Sequence, residues 1–282
     1  MLLYDGIVES EESGLLLREY LRGHGFSVTL LKKAKRGSIA VNGESVTVRR
    51  VLFEGERVTV CCEDETSEGI EPISIPLSVI YEDEELLVVD KPVGMPTHPS
   101  RGNSLPTLAN AIMARYGGDF VFRAITRLDR DTSGLVLIAK SQMVASRLSS
   151  DMKMGRFKKR YCALVEGIPE PGEGLIDAPI ERESEGSIKR VVREGGKRAL
   201  TEYKVSRTVG ENAVCEIDLH TGRTHQIRVH MAHIGHPLVG DFLYGKRCET
   251  PYFLRCFELS FPHPTDNIEL TLRAPLSEDG KV

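Results

Sequence analysis

The sequence predicts an α+β fold: a large body with a mostly antiparallel mixed sheet, preceded by a small α+β unit. Three observations carry this expectation. After residue 77, strand-like segments outnumber helix-like ones, and many follow one another directly. No fixed-period repeat replaces that irregular order. An acidic stretch holding Gly69, Pro72 and Pro76 separates the first 65 residues from the rest, as a linker would. The expected organisation is a unit at 1–65, a linker at 66–76 and a main body at 77–282.

Each element has its own local reason. Leu15, Leu16, Leu17, Tyr20 and Leu21, between Gly14 and Gly23, suit one helix face. Ser27 can cap a second helix, VTLLKKAKR, which Gly37 would end. Its bases Lys32, Lys33, Lys35 and Arg36 mostly project to one side. Asn42-Gly43 marks a hairpin between IAVNGESVTV strands, and RVLFEGERVTVCC continues the small sheet. In the main body, LSVIYEDEELLVVDKP reads as two strands joined by an acidic turn. TLANAIMARYG is a helix closed by Gly117-Gly118, GLVLIAK a buried strand, and SQMVASRLSSDMKMG a second helix. YCALVEG, TEYKVSRT and AVCEIDLHTG are strands. QIRVH also reads as a strand, with Gln226, Arg228 and His230 on one face and Ile227 and Val229 toward the core.

Composition narrows the function classes. The chain is 40% hydrophobic and 28% charged, as in an ordinary globular protein, and no apolar run reaches the ~18 residues of a membrane span. The opening MLLYDGIVESEES lacks a basic region before an apolar core, so no signal peptide is expected there. Cys61, Cys62, Cys162, Cys215, Cys248 and Cys256 form no CxxC pair, which predicts reduced thiols in the cytoplasm. The net charge is −4, but nine of the acids lie in residues 63–85, which hold no base, and the remainder carries +5. Positive charge gathers at 32–36, 147–160 and 189–198. Each patch alone could be a solvated face; together they favour a polyanionic partner.

Four stretches hold polar residues where apolar or turn residues are expected. ITRLDRDTSGLVLIAK sets Asp129 between Arg127 and Arg130, just before a buried strand. Asp129 could simply cap a turn, but a capping acid has no need of flanking arginines. LHTGRTHQIRVHMAHIGHPLVGDFLYG packs Arg223, His225, Gln226, Arg228 and His230 together. A buried arginine there needs a partner, and Asp129 is the natural one. FKKRYCALVEG puts Tyr161 behind Lys158, Lys159 and Arg160, either as strand packing or as a platform for a nucleobase. VVDKPVGMPTHP makes a rigid turn at Lys91-Pro92 and Gly94 that is uninformative on its own. His225, His230, His233 and His236 invite a zinc reading, yet HExxH is missing, no acid lies among them, and Arg223 and Arg228 would repel a cation. GxSxG, Walker and GxGxxG signatures are also missing.

Taken in order, EDEELLVVDKPVGMPTHP, ITRLDRDTSGLVLIAK, KKRYCALVEG, GKRALTEYKV and TGRTHQIRVHMAHIGHPLVGDFLYG resemble the RluA-type pseudouridine synthases. The resemblance spans roughly residues 79–263, and its second and last motifs are highly specific. The first 65 residues resemble, more loosely, an S4 RNA-binding domain.

The resemblance implies a pseudouridine synthase fold and an isomerase that needs no cofactor and no metal. It makes Asp129 the essential aspartate, Arg228 its pairing arginine and Tyr161 the tyrosine that stacks on the target uracil. Arg127 would fill the space left by a flipped base. Arg223, His225, Gln226 and Lys159, with Lys32, Lys33, Lys35 and Arg36 of the S4-like unit, are the expected RNA contacts. Two positions depart from the family's usual pattern: Thr126 stands where His often precedes RLD, and Asp90 where Asn is frequent. The expected partner is structured RNA, ribosomal before transfer RNA, with no membrane and no obligate protein partner, for a cytoplasmic monomer. An inactive RNA-binding homologue and a metal-dependent hydrolase are the rival readings.

Overall fold

A computed structural model describes residues 2–62, 67, 69–100, 106–117, 120–246 and 251–275. Cys248, Gly118 and residues 66 and 68 of the expected linker lie outside them.

Two hydrophobic cores organise the chain. The smaller is built from β1 (Leu2–Ile7), α1 (Leu17–Gly23), α2 (Val28–Ala34), β2 (Ser38–Val41), β3 (Glu44–Ser45) and β4 (Arg57–Cys61). Its strands pair antiparallel in the order β1-β4-β2-β3. Leu17, Tyr20 and Leu21 of α1 and Leu30, Leu31 and Ala34 of α2 bury against Val41, Val58 and Val60. Ser27 caps α2 by accepting from the Leu30 amide at 3.2 Å. Asn42 (φ 52°) and Gly43 (φ 86°) make the tight hairpin turn that their sequence predicts. Helix α1 starts only at Leu17, because the backbone of Leu15 and Leu16 pairs with Val51 and Leu52 instead. Strand β1 is not legible in the sequence: it is an edge strand with every residue exposed or half-exposed and no clean alternation.

The larger core lies on a nine-stranded sheet. Its elements are β5 (Ser78–Glu82), β6 (Leu86–Lys91), α3 (Leu108–Tyr116), β7 (Ser133–Ala139), α4 (Gln142–Lys153), β8 (Lys158–Val165) and β9 (Glu173–Asp177). A separate hairpin follows, β10 (Ile180–Arg182) and β11 (Arg190–Val192). The chain returns to the sheet with β12 (Leu200–Val209), β13 (Asn212–Leu219), α5 (Gln226–His233), β14 (Leu254–Pro262) and β15 (Glu269–Arg273). The sheet order is β5-β6-β7-β14-β8-β13-β12-β9, with β15 also on β14. Only β7–β14 is parallel, so the sheet is mixed and mostly antiparallel, the α+β class that the sequence predicts. That junction is tight: Gly134 sits at φ +111°, and a Cβ there would meet the Cys256 carbonyl oxygen at 2.1 Å.

Strand β7 is buried along its whole length, and its start delivers Asp129 from the preceding loop. The two bodies touch at α4. The Ser27 amide donates to Ser146 Oγ at 2.8 Å, Ser146 Oγ donates to the Gly25 carbonyl at 3.0 Å, and Met143 packs on the smaller core. The described part of the expected linker is pinned to α3: Asn110 Nδ2 donates to the Glu71 carbonyl at 2.7 Å.

One expectation is overturned. QIRVH is the first part of helix α5, not a strand. Gln226 and His230, four residues apart, do share a face, and both bond Thr201 Oγ1, at 2.9 and 2.8 Å. Arg228 points elsewhere, as a helical turn requires. Polar and apolar residues are all buried here, so their alternation carries no information about period.

Candidate active site

The loop between residues 125 and 132 is held from three sides. Thr126 Oγ1 accepts from the Leu137 amide of β7 at 2.9 Å. Thr97 Oγ1 donates to the Leu128 carbonyl at 2.9 Å and receives the Leu128 amide at 3.3 Å. The fully buried Lys91 donates to the carbonyls of Pro92, Met95 and Arg130 at 2.8, 2.7 and 3.1 Å. Burial pushes its amine down to about 8, against the pull of Asp131, Asp129 and Asp90. Lys91 and Thr97, from a turn that is uninformative as sequence, thus set the backbone that carries Asp129. Thr126, one of the two departures, is likewise a brace. The other, Asp90, pairs with Arg255 at 2.6 Å.

Asp129 faces a cleft of about 480 Å³. Neither flanking arginine pairs with it. Arg127 is exposed at the rim, and Arg130 makes two hydrogen bonds to Asp131, at 2.8 and 2.9 Å. The charge opposite Asp129 comes from α5: Arg228 Nη1 stands 3.6 Å from Asp129 Oδ2. His225 Nε2 is 3.8 Å from the same oxygen. Both gaps exceed a hydrogen bond, and among the described residues none donates to the Asp129 carboxylate.

The expected pairing of Arg228 with Asp129 is thus present as an ion pair without a hydrogen bond. The hydrogen-bonded partner of Arg228 is Asp241, fully buried, which takes Nε at 2.6 Å and Nη2 at 2.7 Å. Burial opposes the charge on Arg228, but the Asp241 bonds and the nearby Tyr252 and Asp129 more than offset that and hold the guanidinium firmly charged. The rings of Tyr252 and Tyr244 lie 4.5 and 5.1 Å from it. Asp241 anchors the arginine, and the arginine's third nitrogen is left to face Asp129.

Tyr161 enters β8 at the cleft floor, only 6% exposed, and burial drives its phenol well above the ordinary value. Lys159 lines the same wall, its amine lowered by burial. Arg223 also lines the cleft, its Nε donating to the Arg198 carbonyl at 2.9 Å. Gln226 does not offer its amide to a ligand. Oε1 accepts from Thr221 and from the Arg223 amide, Nε2 donates to Leu200 and Thr201, and the residue is 2% exposed. It braces the turn instead. Lys32, Lys35 and Arg36 are exposed and Lys33 half-buried at the C-terminal end of α2, in the smaller body and away from the cleft lining.

The histidines do not converge. His230 uses both ring nitrogens on Thr201 and the Ala178 carbonyl, His236 bonds the Glu166 carbonyl, and His225 bonds Tyr244. Among the described residues no group of three or more His, Cys, Asp or Glu is placed to hold a metal. Asp241, Tyr244, Lys91 and Thr97 lie inside the polar motifs but nothing in the sequence marks them for these contacts, and Tyr252 lies in no motif.

Known proteins are similar to this chain in sequence and in fold. Residues 85–233 match the family model for RNA pseudouridylate synthase. "Uncharacterized RNA pseudouridine synthase YjbO" of Bacillus subtilis is 40% identical, over 94% of this chain and 96% of that protein. "Ribosomal large subunit pseudouridine synthase D" of Xanthomonas campestris is 38% identical, over 87% of this chain and 80% of that one. Among solved structures, human RNA pseudouridylate synthase domain containing 1 superposes with a TM-score of 0.60 at 29% identity, covering 73% of this chain and 86% of that one.

Proposed function

The chain belongs to the RNA pseudouridylate synthase family and is an RluA-type isomerase; from that premise we propose that it flips specific uridines of structured RNA, ribosomal before transfer RNA, and isomerises them through Asp129. The observation that carries this reading is the state of Asp129. Its carboxylate faces a fixed cation, yet among the described residues its oxygens are claimed by no hydrogen bond. Lone pairs held this way are available to a reacting sugar.

The reaction breaks C1′–N1, turns the uracil in the site and joins C1′ to C5. N1 gains a proton and C5 loses one. Nothing is oxidised and no group is added, so the chemistry requires no cofactor or metal. Asp129 either attacks C1′ or removes a sugar proton; both routes use the same free oxygen. Tyr161 supports the uracil from the cleft floor, and Arg127, exposed at the rim, fills the vacated stack. Arg223, His225 and Lys159 line the path of the substrate. The smaller body acts as an S4-like arm that grips the RNA through Lys32, Lys33, Lys35 and Arg36.

The preference for ribosomal RNA rests on the names of the Xanthomonas and Vibrio cholerae relatives, both "Ribosomal large subunit pseudouridine synthase D". We further propose that it acts in the cytoplasm, as a monomer. The test is release of the C5 hydrogen as labelled water from ribosomal RNA carrying tritium at uridine C5. Wild type should release it and Asp129→Asn should not. Release by Asp129→Asn at the wild-type rate would overturn the assignment.

A further inference from the structure

His225 is the residue beside Asp129 whose chemistry is still unassigned. It occupies the left-handed region (φ 57°, ψ 19°), which costs a non-glycine residue energy and is found where surrounding structure demands it. The demand is visible in its partners. Nδ1 lies 2.8 Å from Tyr244 Oη, and Nε2 faces Asp129 Oδ2 at 3.8 Å. Tyr244 Oη also receives the backbone amide of Arg190, at 2.8 Å, from hairpin strand β11.

The proton count along this chain is constrained. The Arg190 amide can only donate, so Tyr244 Oη accepts there. The phenol keeps its own proton, because burial raises its affinity for it. Among the described residues that proton has one acceptor in reach, His225 Nδ1. An imidazole that accepts at Nδ1 and is neutral carries its hydrogen on Nε2. The groups facing His225 are Asp129 and Asp241, which favour the imidazolium, and Arg228 and Arg190, which oppose it; burial is the largest influence and keeps the ring neutral. The opposite tautomer would leave the phenolic hydrogen without an acceptor and turn the Nε2 lone pair toward a carboxylate.

We propose that Tyr244 is a positioning residue that fixes His225 as the Nε2–H tautomer, so that an uncharged hydrogen-bond donor faces the cleft beside Asp129. The ligand this donor takes is an oxygen of the bound uridine, on the ribose or the uracil. At 3.8 Å it does not tie up Asp129 itself. Because Arg190 belongs to the hairpin, β11 holds the far end of the chain and sets the ring's orientation. This inference rests on Asp129 being the reacting carboxylate, but its first readout does not.

The experiment is long-range ¹H–¹⁵N NMR of the full-length enzyme labelled at histidine, with the His225 signals assigned by their loss in His225→Gln. In wild type, Nε2 should be protonated and Nδ1 should not. Tyr244→Phe should lose that single pattern and lower kcat about 10- to 100-fold, as loss of a partner that orients a metal-binding histidine does. KM for RNA should stay within about threefold. A wild-type His225 protonated at Nδ1 would overturn the proposal, as would Tyr244→Phe with unchanged tautomer and kcat. Active Asp129→Asn enzyme with an Nε2–H His225 would instead refute the role of Asp129 and leave the tautomer standing.

Discussion

At the scale of single residues, two carboxylates divide one arginine between them. Asp241, without exposure, satisfies Arg228 with two hydrogen bonds; Asp129, partly exposed, receives only its field. The two aspartates should therefore fail differently. Asp129→Asn should abolish product while RNA affinity stays within about tenfold, ~1.4 kcal/mol. Binding assays on the purified variant check this, and an affinity collapse would point to a folding defect. Asp241→Asn strands a buried guanidinium, so it should destabilise the fold by about 3–5 kcal/mol as well as impair activity, read from the urea midpoint. Asp129, Arg228 and Tyr161 are legible in the sequence because unusual polar residues cluster around them. Asp241 is not, because a glycine-aspartate pair after an apolar run looks like any turn. Gln226 misleads for a related reason: sequence shows a polar residue in a polar motif, not that its amide is already consumed by four neighbours.

At the scale of elements, the loop that carries Asp129 is held in place by others. Lys91 ties its Arg130 carbonyl to the end of β6, and Gly134 lets β7 approach β14. Gly134→Ala should destabilise the protein by about 3 kcal/mol, since both the backbone angle and the Cys256 carbonyl oppose a Cβ; near-normal thermal stability would contradict that packing. Lys91 has a depressed folded-state value of about 8 against the ordinary 10.5. Below pH 8 both states carry the proton and the native state bears the cost of burying it. From 8 to 10.5 only the unfolded state keeps it, so this group's contribution to stability rises with pH. The stability of wild type relative to Lys91→Met should therefore rise over that window, measured by urea unfolding at several pH values. Helices α2, α3 and α4 are readable because Ser27, Thr107 and Ser141 cap them in the ordinary way. Helix α5 is not: its N-cap is a left-handed histidine without a side-chain cap bond, and burial on all sides hides its period.

For the whole molecule, fold class follows from patterning alone, since strand-after-strand order needs an antiparallel sheet. The long-range pairings do not, because no local signal says that β14 returns between β7 and β8. Nor does the seating of α4 on the smaller body through Ser27, Ser146 and Gly25. The distribution of charge matters more than its total of −4. Changing Lys32, Lys33, Lys35 and Arg36 to Glu should weaken RNA binding and flatten its salt dependence, by up to about 0.9 in slope for each phosphate no longer neutralised. Unchanged affinity across a salt titration would remove the smaller body from the RNA interface. The most direct measurement for the central claim is pseudouridine mapping of cellular RNA, by carbodiimide treatment and reverse-transcription stops, with and without this gene. The account predicts that one or a few stops in ribosomal RNA vanish and return with the wild type but not with Asp129→Asn. A map that is unchanged by the deletion, or restored by Asp129→Asn, would contradict it.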